Sequence, residues 1–409
     1  MKPQQKILNV AVIVAALGYF VDVYDLILFS IVRVPSLKSL GLSGDELTTT
    51  GLNLLNIQMI GMLIGGIIWG VLGDKRGRLS VLFLTIMLYS VANILNGMVH
   101  TLTEYYLCRF FAGVGLAGEL GIGITLVSEV MSQEKRGYGT TIVSGIGIAG
   151  AVAGFFVADI FDWRIAYYFG GGMGLMLLVL RLIMYESGMY TKLKESHVKK
   201  GSFISLFTQR KRFVKYIKCI LIGVPVWYII GILITLAPEF ASSDGLNISG
   251  TIVGGKAVMY HYIGASVGAF LTGILSQYIK SRKKALLISL ALLTLTLTWF
   301  FLSSGVTAPW FYFILLVIGI PNGYWSVFVT TASEQFGTNL RATTTTTIPN
   351  FVRGATVVVT TAFNYFKSGS FGILGAGIAV GIVVLAAAFY SASTIEETFE
   401  KDLDYYEVD

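Results

Sequence analysis

The chain has 409 residues, of which 55% are hydrophobic and only 13% charged, with a net charge of +7 and a mean hydropathy of +0.73. Soluble domains carry about 25% charged residues to cover their surface, so a string of soluble domains is excluded and a polytopic membrane protein is indicated. Two cysteines, Cys108 and Cys219, and three isolated histidines, His100, His197 and His261, exclude a disulfide scaffold and a zinc-ligand cluster.

A membrane-spanning helix needs about 20 mostly apolar residues, and twelve such stretches follow in chain order. The first, over 8–34, is longer than a cleavable leader and reads as a full span. The next five are predicted over 50–73, 79–99, 104–128, 138–158 and 163–184. A polar, basic stretch over 185–212 follows, with Lys192, Lys194, Lys199, Lys200, Arg210, Lys211 and Arg212. Six more spans are predicted over 213–237, 251–279, 283–303, 309–332, 342–366 and 371–393. The eighth is interrupted by Lys256 and His261, and the eleventh by Arg353 and the run Thr343 to Thr347. Threonine hydroxyls bond back to a helix and are tolerated in membranes. The expected architecture is an all-α membrane protein with twelve transmembrane helices in two six-helix bundles, residues 1–184 and 213–409, joined by a cytoplasmic linker over 185–212.

Lysine and arginine fix the expected orientation. With a cytoplasmic N-terminus, twenty-two of them fall in inside segments, against four outside: Arg33, Lys38, Arg164 and Lys367. Both termini are therefore expected inside, and the short loops suggest a bacterial inner membrane.

The loop after the second span reads Gly70-Val71-Leu72-Gly73-Asp74-Lys75-Arg76-Gly77-Arg78. Glycines permit close helix approach, an acid can cap the next helix and cations anchor the inner face. This G-x-x-x-D-[KR]-x-G-R pattern resembles the signature loop of the major facilitator superfamily. The fourth span reads Arg109-Phe110-Phe111-Ala112-Gly113-Val114-Gly115-Leu116-Ala117-Gly118-Glu119 and ends Ser128-Glu129, followed by Arg136-Gly137. That is similar to the arrangement in sugar-porter-like and metabolite:proton symporters. Gly18-Tyr19-Phe20-Val21-Asp22-Val23-Tyr24-Asp25 looks like their first-helix motif. Two departures stand out: Met131 and Ser132 occupy the region where relatives often have proline, and the second-half loop, Gly273-Ile274-Leu275-Ser276-Gln277, has glutamine in place of the acid.

An internal repeat supports the same architecture independently. Glu129 and Arg136 recur as Glu334 and Arg341 at an offset of 205, which also places Gly18 on Gly223 and Gly118 on Gly323. Parallel six-helix halves are the expected result.

Charges inside spans cost at least about 2.5–3.5 kcal/mol when unpaired and usually face a cavity or a partner. Asp22 and Asp25, three apart, are expected on one helix face. The resemblance implies that Asp25 pairs with Arg109 and that protonation of the acid releases the arginine; Asp22 and Glu119 are further proton-coupling candidates. Moving a cation away from a buried carboxyl changes its proton affinity. Structural pairing or snorkelling is the ordinary alternative for each of these charges. Lys256, His261 and Arg353 suggest an anionic or zwitterionic substrate, with Trp227, Tyr324 and Asn350 as further contacts; Lys256 could equally snorkel outward, and His261 could be a core residue. The two halves differ at Glu119, whose repeat partner is Tyr324. Conformational gating is expected at Gly70, Asp74, Gly77, Arg78, Glu129, Arg136, Glu334 and Arg341. The glycine-rich stretches 145–154 and 170–174 read as helix-contact faces rather than phosphate loops, which excludes an ATP-driven pump.

The expected activity is proton-coupled symport of a small organic solute, such as a carboxylate or amino acid, by a monomer acting with protons in the lipid bilayer. No enzymatic activity, metal, nucleic acid or cofactor beyond the proton gradient is expected. The alternatives are a proton-driven exporter of drugs, siderophores or other amphipathic compounds, and a transport-dead membrane sensor.

Overall fold

A computed structural model describes residues 10–180, 201–369 and 371–407. Arg181 and most of the predicted linker, including Lys192, Lys194, Lys199 and Lys200, lie outside the described residues. The first half comprises α1 (Val10–Ser39), α2 (Gly44–Arg76), α3 (Arg78–Asn96), α4 (Leu102–Val130), α5 (Arg136–Ile160) and α6 (Trp163–Leu180). The second comprises α7 (Arg210–Ile234), α8 (Gly254–Tyr278), α9 (Arg282–Leu302), α10 (Ala308–Glu334), α11 (Arg341–Ser368) and α12 (Gly372–Thr394).

Eleven of these twelve helices have the length and hydropathy of a membrane span. The remaining one, α11, is the threonine-rich helix, and part of its run bonds back as expected: Thr344 Oγ1 donates to the Leu340 carbonyl at 3.1 Å and Thr347 Oγ1 to that of Thr343 at 2.7 Å, while the Thr345 and Thr346 hydroxyls are buried without a hydrogen-bond partner. Two boundaries move for identifiable reasons. α1 continues past Pro35 to Ser39, where Ser36 and Ser39 hydroxyls bond the carbonyls three residues back at 3.1 and 2.7 Å. α7 starts at Arg210, after a helical turn at Ser205–Thr208, because Arg212 Nη1 donates to the Ser205 carbonyl at 2.7 Å and ties the turn to the helix.

Several spans are broken where the two halves meet. α4 turns at Ala117 and Gly118, and α10 turns at its repeat equivalents around Gly323. α7 contains Pro225, whose missing N–H frees a carbonyl, and the helix widens into a π segment over Ile229–Ile234. Within each half, glycine lets backbones touch: a Cβ on Gly61 of α2 would lie 2.3 Å from the Phe110 carbonyl oxygen of α4, and one on Gly268 of α8 would lie 1.8 Å from that of Ile320 in α10. The halves meet chiefly through α2 against α11 and α5 against α8.

Candidate functional site

A small cavity of about 30 Å³ sits between the halves, walled by Tyr19, Trp227, Tyr262 and Trp325 and floored by Arg353. A space this small admits no more than a few water molecules, so the halves are drawn together around the site. Arg353 of α11 reaches across to α1, where its Nη2 lies 3.5 Å from Asp22 Oδ2, and both side chains are buried. Its guanidinium carbon is 5.9 Å from the ring centres of both Trp227 and Trp325, close enough for cation–π attraction. Asn350, one turn earlier on α11, accepts from Arg353 Nη1 at 3.3 Å and donates to the Ala117 carbonyl at 2.7 Å, at the break in α4. Neither Asp22 oxygen makes a hydrogen bond. Glu119, buried just past that break, acts electrostatically on Asp22.

Asp25 has a different environment. Asp22 faces the other half, whereas Asp25 points into its own, so close to α6 that a Cβ on Gly170 would sit 2.1 Å from Asp25 Oδ1. The implied Asp25–Arg109 ion pair is absent from this conformation. Arg109 is held by two amides of α3, with Nη2 donating to Asn93 Oδ1 at 3.1 Å and Nε to Asn96 Oδ1 at 3.3 Å, and it lies 4.9 Å over the Tyr167 ring. Both Asp25 oxygens are buried and without a hydrogen-bond partner. Asn93 and Asn96 went unrecognised in the sequence, although two asparagines three apart in an apolar span are the signal for a buried polar contact.

Three expected substrate contacts, Lys256, Tyr324 and His261, lie elsewhere. Lys256 is exposed in the first turn of α8 and does not line the cavity; near the end of a helix its ammonium reaches the polar boundary. Tyr324 is buried, but its hydroxyl donates to the Ile222 carbonyl at 2.6 Å and braces α10 against α7. His261 is a core histidine bonded through Nε2 to Asn322 Nδ2 at 3.0 Å, and only Asn322 reaches the cavity wall. Trp227 lies where a substrate contact was expected.

The second constellation seals the basic end of the bundle. Gly77 is the single residue between α2 and α3, and its φ of 106° requires glycine. The sharp turn aims Asp74 at the start of α11, where it accepts from Ala342 N at 3.1 Å, Thr343 N at 2.9 Å and Thr343 Oγ1 at 2.7 Å. A carboxylate there satisfies orphan N–H groups and opposes the positive helix end. Gly70 permits this contact, since a Cβ would come within 2.9 Å of Thr343 Cα.

Two arginine–glutamate–arginine clusters lie behind it. Glu129 meets Arg78 of its own half at 2.8 Å and Arg341 of the other at 3.1 Å. Glu334 meets Arg282 of its own half at 3.2 Å and Arg136 of the other at 3.3 Å. Glu129 and Arg136 map onto Glu334 and Arg341 under the 205-residue offset, while Arg78 and its structural counterpart Arg282 stand 204 residues apart. Between them Ser128 Oγ and Ser333 Oγ, themselves related by that offset, touch at 3.2 Å and so mark the pseudo-twofold axis. Arg282 is the counterpart of Arg78, an equivalence the sequence obscures because the second-half loop has Gln277 in place of the acid.

The arrangement is that of a multi-pass membrane protein with a buried polar site between two halves and a lock on one side. The sequence profile of the Major Facilitator Superfamily matches residues 15–355. The sialic acid transporter NanX of Escherichia coli is 26% identical over 299 residues, covering 68% of this chain and 70% of that one. The niacin transporter NiaP of Acinetobacter baylyi is 32% identical over 162 residues, covering 39% of this chain and 36% of the relative, little more than a third of its length. The solved structure of the proton:xylose symporter XylE bound to 6-bromo-6-deoxy-D-glucose superposes with a TM-score of 0.76 at 16% identity, over 97% of each chain.

Proposed function

Because the chain belongs to the major facilitator superfamily, we propose that this transporter carries a small organic anion together with protons by alternating access. The observation that supports the reading is the buried Asp22–Arg353 pair, which spans the two halves at the cavity. A guanidinium presents a planar fork of donors suited to a carboxylate, and here it is set among aromatic walls that suit an apolar or ring-bearing body.

A substrate carboxylate binding Arg353 competes with Asp22 for the same nitrogen atoms. Once displaced, Asp22 is a buried charge beside Glu119, and a proton removes the cost of leaving it there. Anion and proton therefore enter the site as a compensated pair. Asp25, buried and without a hydrogen-bond partner, is a second place for a proton, and Arg109 is the cation within its electrostatic reach. Niacin and sialic acid, from which two relatives take their names, are both carboxylic acids, which agrees with this substrate class.

The lock at the basic end closes one route to the site, so entry requires separation of α1 and α5 from α7 and α8 at the opposite end. We assign the basic end to the cytoplasm, on the charge asymmetry of the loops, and the protein to a bacterial inner membrane.

Uptake into proteoliposomes, with acid imposed on the side away from the basic end, tests the reading across carboxylates, amino acids and neutral sugars. The expected result is gradient-dependent accumulation of a carboxylate, abolished by Arg353→Gln. Accumulation of a neutral sugar that survives Arg353→Gln refutes it.

A further inference from the structure

Five cations, Arg210, Lys211, Arg212, Lys215 and Lys218, lie along the first three turns of α7 and line a groove of about 910 Å³ between that helix and the end of α12. Among the described residues, only two carboxylates, Glu396 and Glu407, share the groove. Glu407 lies 3.4 Å from Lys215 and 3.7 Å from Arg212, while Arg210 and Lys211 are exposed and have no acidic partner among the described residues. The flanking surface is apolar: Ile204, Phe207, Phe213 and Val214 are all exposed. Ile204 and Phe207 lie at the short turn before α7, and Phe213 and Val214 lie among its cations, so apolar and cationic side chains share one surface at the start of the helix. A surface of both kinds matches the charged headgroup and apolar body of an anionic lipid.

We propose that this groove binds the phosphate group of an anionic lipid, in competition with Glu407. Glu407 is the last described contact of a tail that crosses the lock. From Ile395 onward, Thr398 Oγ1 donates to Glu334 at 2.8 Å, the Lys401 carbonyl accepts from Arg136, the Leu403 carbonyl accepts from Arg341, and the Tyr405 carbonyl accepts from Thr338 N at 2.8 Å. Arg136 belongs to the first half and Arg341 to the second, so the tail bridges both. A phosphate that takes Arg212 and Lys215 away from Glu407 frees the tail's far end and weakens the bridge. The lipid then favours opening of the basic end.

The test uses the full-length protein in neutral phosphatidylcholine nanodiscs, titrated with phosphatidylglycerol and read by native mass spectrometry. Trypsin cleavage after Lys401 reports tail release. Phosphatidylglycerol is expected to bind in preference to phosphatidylcholine and to accelerate that cleavage. Lys211→Gln with Lys218→Gln removes two of the five cations and weakens binding roughly 30-fold, whereas Glu407→Gln strengthens it and speeds cleavage without lipid. Should the double variant fail to fold, Arg210→Gln alone, on an exposed side chain, is expected to weaken binding roughly fivefold. Equal binding of the two lipids overturns the proposal, as does lipid binding that leaves cleavage after Lys401 unchanged. An equal effect from inorganic phosphate alone assigns the groove to a free anion and overturns the lipid assignment.

Discussion

Asp74→Asn tests the seal that Asp74 forms with the start of α11, and it also removes the ion pair of Asp74 with Arg78 at 3.5 Å. The substitution keeps the shape of the side chain and one acceptor oxygen, but it replaces the oxygen that receives both the amide and the hydroxyl of Thr343, at 2.9 and 2.7 Å. Hydrogen bonds to a charged group are worth about 1.5–3 kcal/mol each, so losing two costs the sealed state about 3–6 kcal/mol. Roughly half of that returns because the variant no longer buries a charge, leaving about 1.5–3 kcal/mol against sealing. That shifts the ratio of sealed to open molecules by roughly 10- to 150-fold, turning a minor open population into a comparable one. Spin labels at Gln133→Cys and Lys284→Cys, exposed on opposite halves at the basic end, in a Cys108→Ser, Cys219→Ser background, report the separation by electron–electron resonance. The longer distance is expected to rise to about half of the population at the upper end of this range. An unchanged distance distribution refutes the role given to Asp74.

Four further outcomes follow from the same geometry. In Ser128→Cys with Ser333→Cys, the thiols replace hydroxyls 3.2 Å apart, so oxidation is expected to cross-link the halves and stop transport until reductant is added; absence of a cross-link means that the sealed contact is not populated. Arg353→Ala leaves Asp22 buried without its cation and is expected to cost about 3–5 kcal/mol, seen as a lower melting temperature, with Asp22→Asn restoring most of it. A single variant as stable as the parent refutes that pairing. Asp25→Asn is expected to abolish proton-driven accumulation while preserving part of substrate exchange, and an undiminished gradient-driven rate removes Asp25 from coupling.

The fourth outcome concerns pH at the tail. Partial burial opposes ionisation of Glu397, but the Ser281 hydroxyl and the N–H groups of Arg282, Phe399 and Thr398 outweigh it and hold its carboxyl below the usual range. A depressed folded-state value means stabilisation that is full above the unfolded carboxyl range and is lost as pH falls through the folded value. Protection of the tail against proteolysis is therefore expected to persist at neutral pH and to decline in the acid range. A Glu397→Gln protein that retains the wild-type acid dependence rules out Glu397 as its source.

Much of this architecture was legible in the sequence because membranes impose a coarse ruler. Twelve stretches of sufficient length produced twelve helices, including α11, where Thr344 and Thr347 of the threonine run bond back to the helix. The lock was legible because its motif has a fixed backbone requirement at Gly77 and a fixed acid at Asp74. The cavity was less so. Lys256 and Arg353 look alike as interruptions of apolar runs, yet one is exposed at a helix end and the other is buried between indoles. Only helix rotation and depth separate them. Asp22 and Asp25 share a helix, but three residues of rotation leave roughly 60° between them, enough to aim one at the opposite half and the other at Gly170. The tail could not be read at all, since its backbone carbonyls do most of the bonding and carbonyls have no sequence signature.

The contact between Ser128 and Ser333 has a consequence for how failure spreads through the molecule. Equivalent residues that meet on an axis are what two identical subunits present to each other in an isologous dimer, so the arginine–glutamate part of the lock is duplicated. Damage to one cluster leaves an intact copy on the other side of the axis. Asp74 has no such copy, because Gln277 stands in its place, and Asp22 and Arg353 form one cross-half pair at the cavity. Redundancy protects the ion-pair part of the closure, whereas Asp74 and the cavity pair proposed to couple proton and substrate are single, unduplicated residues.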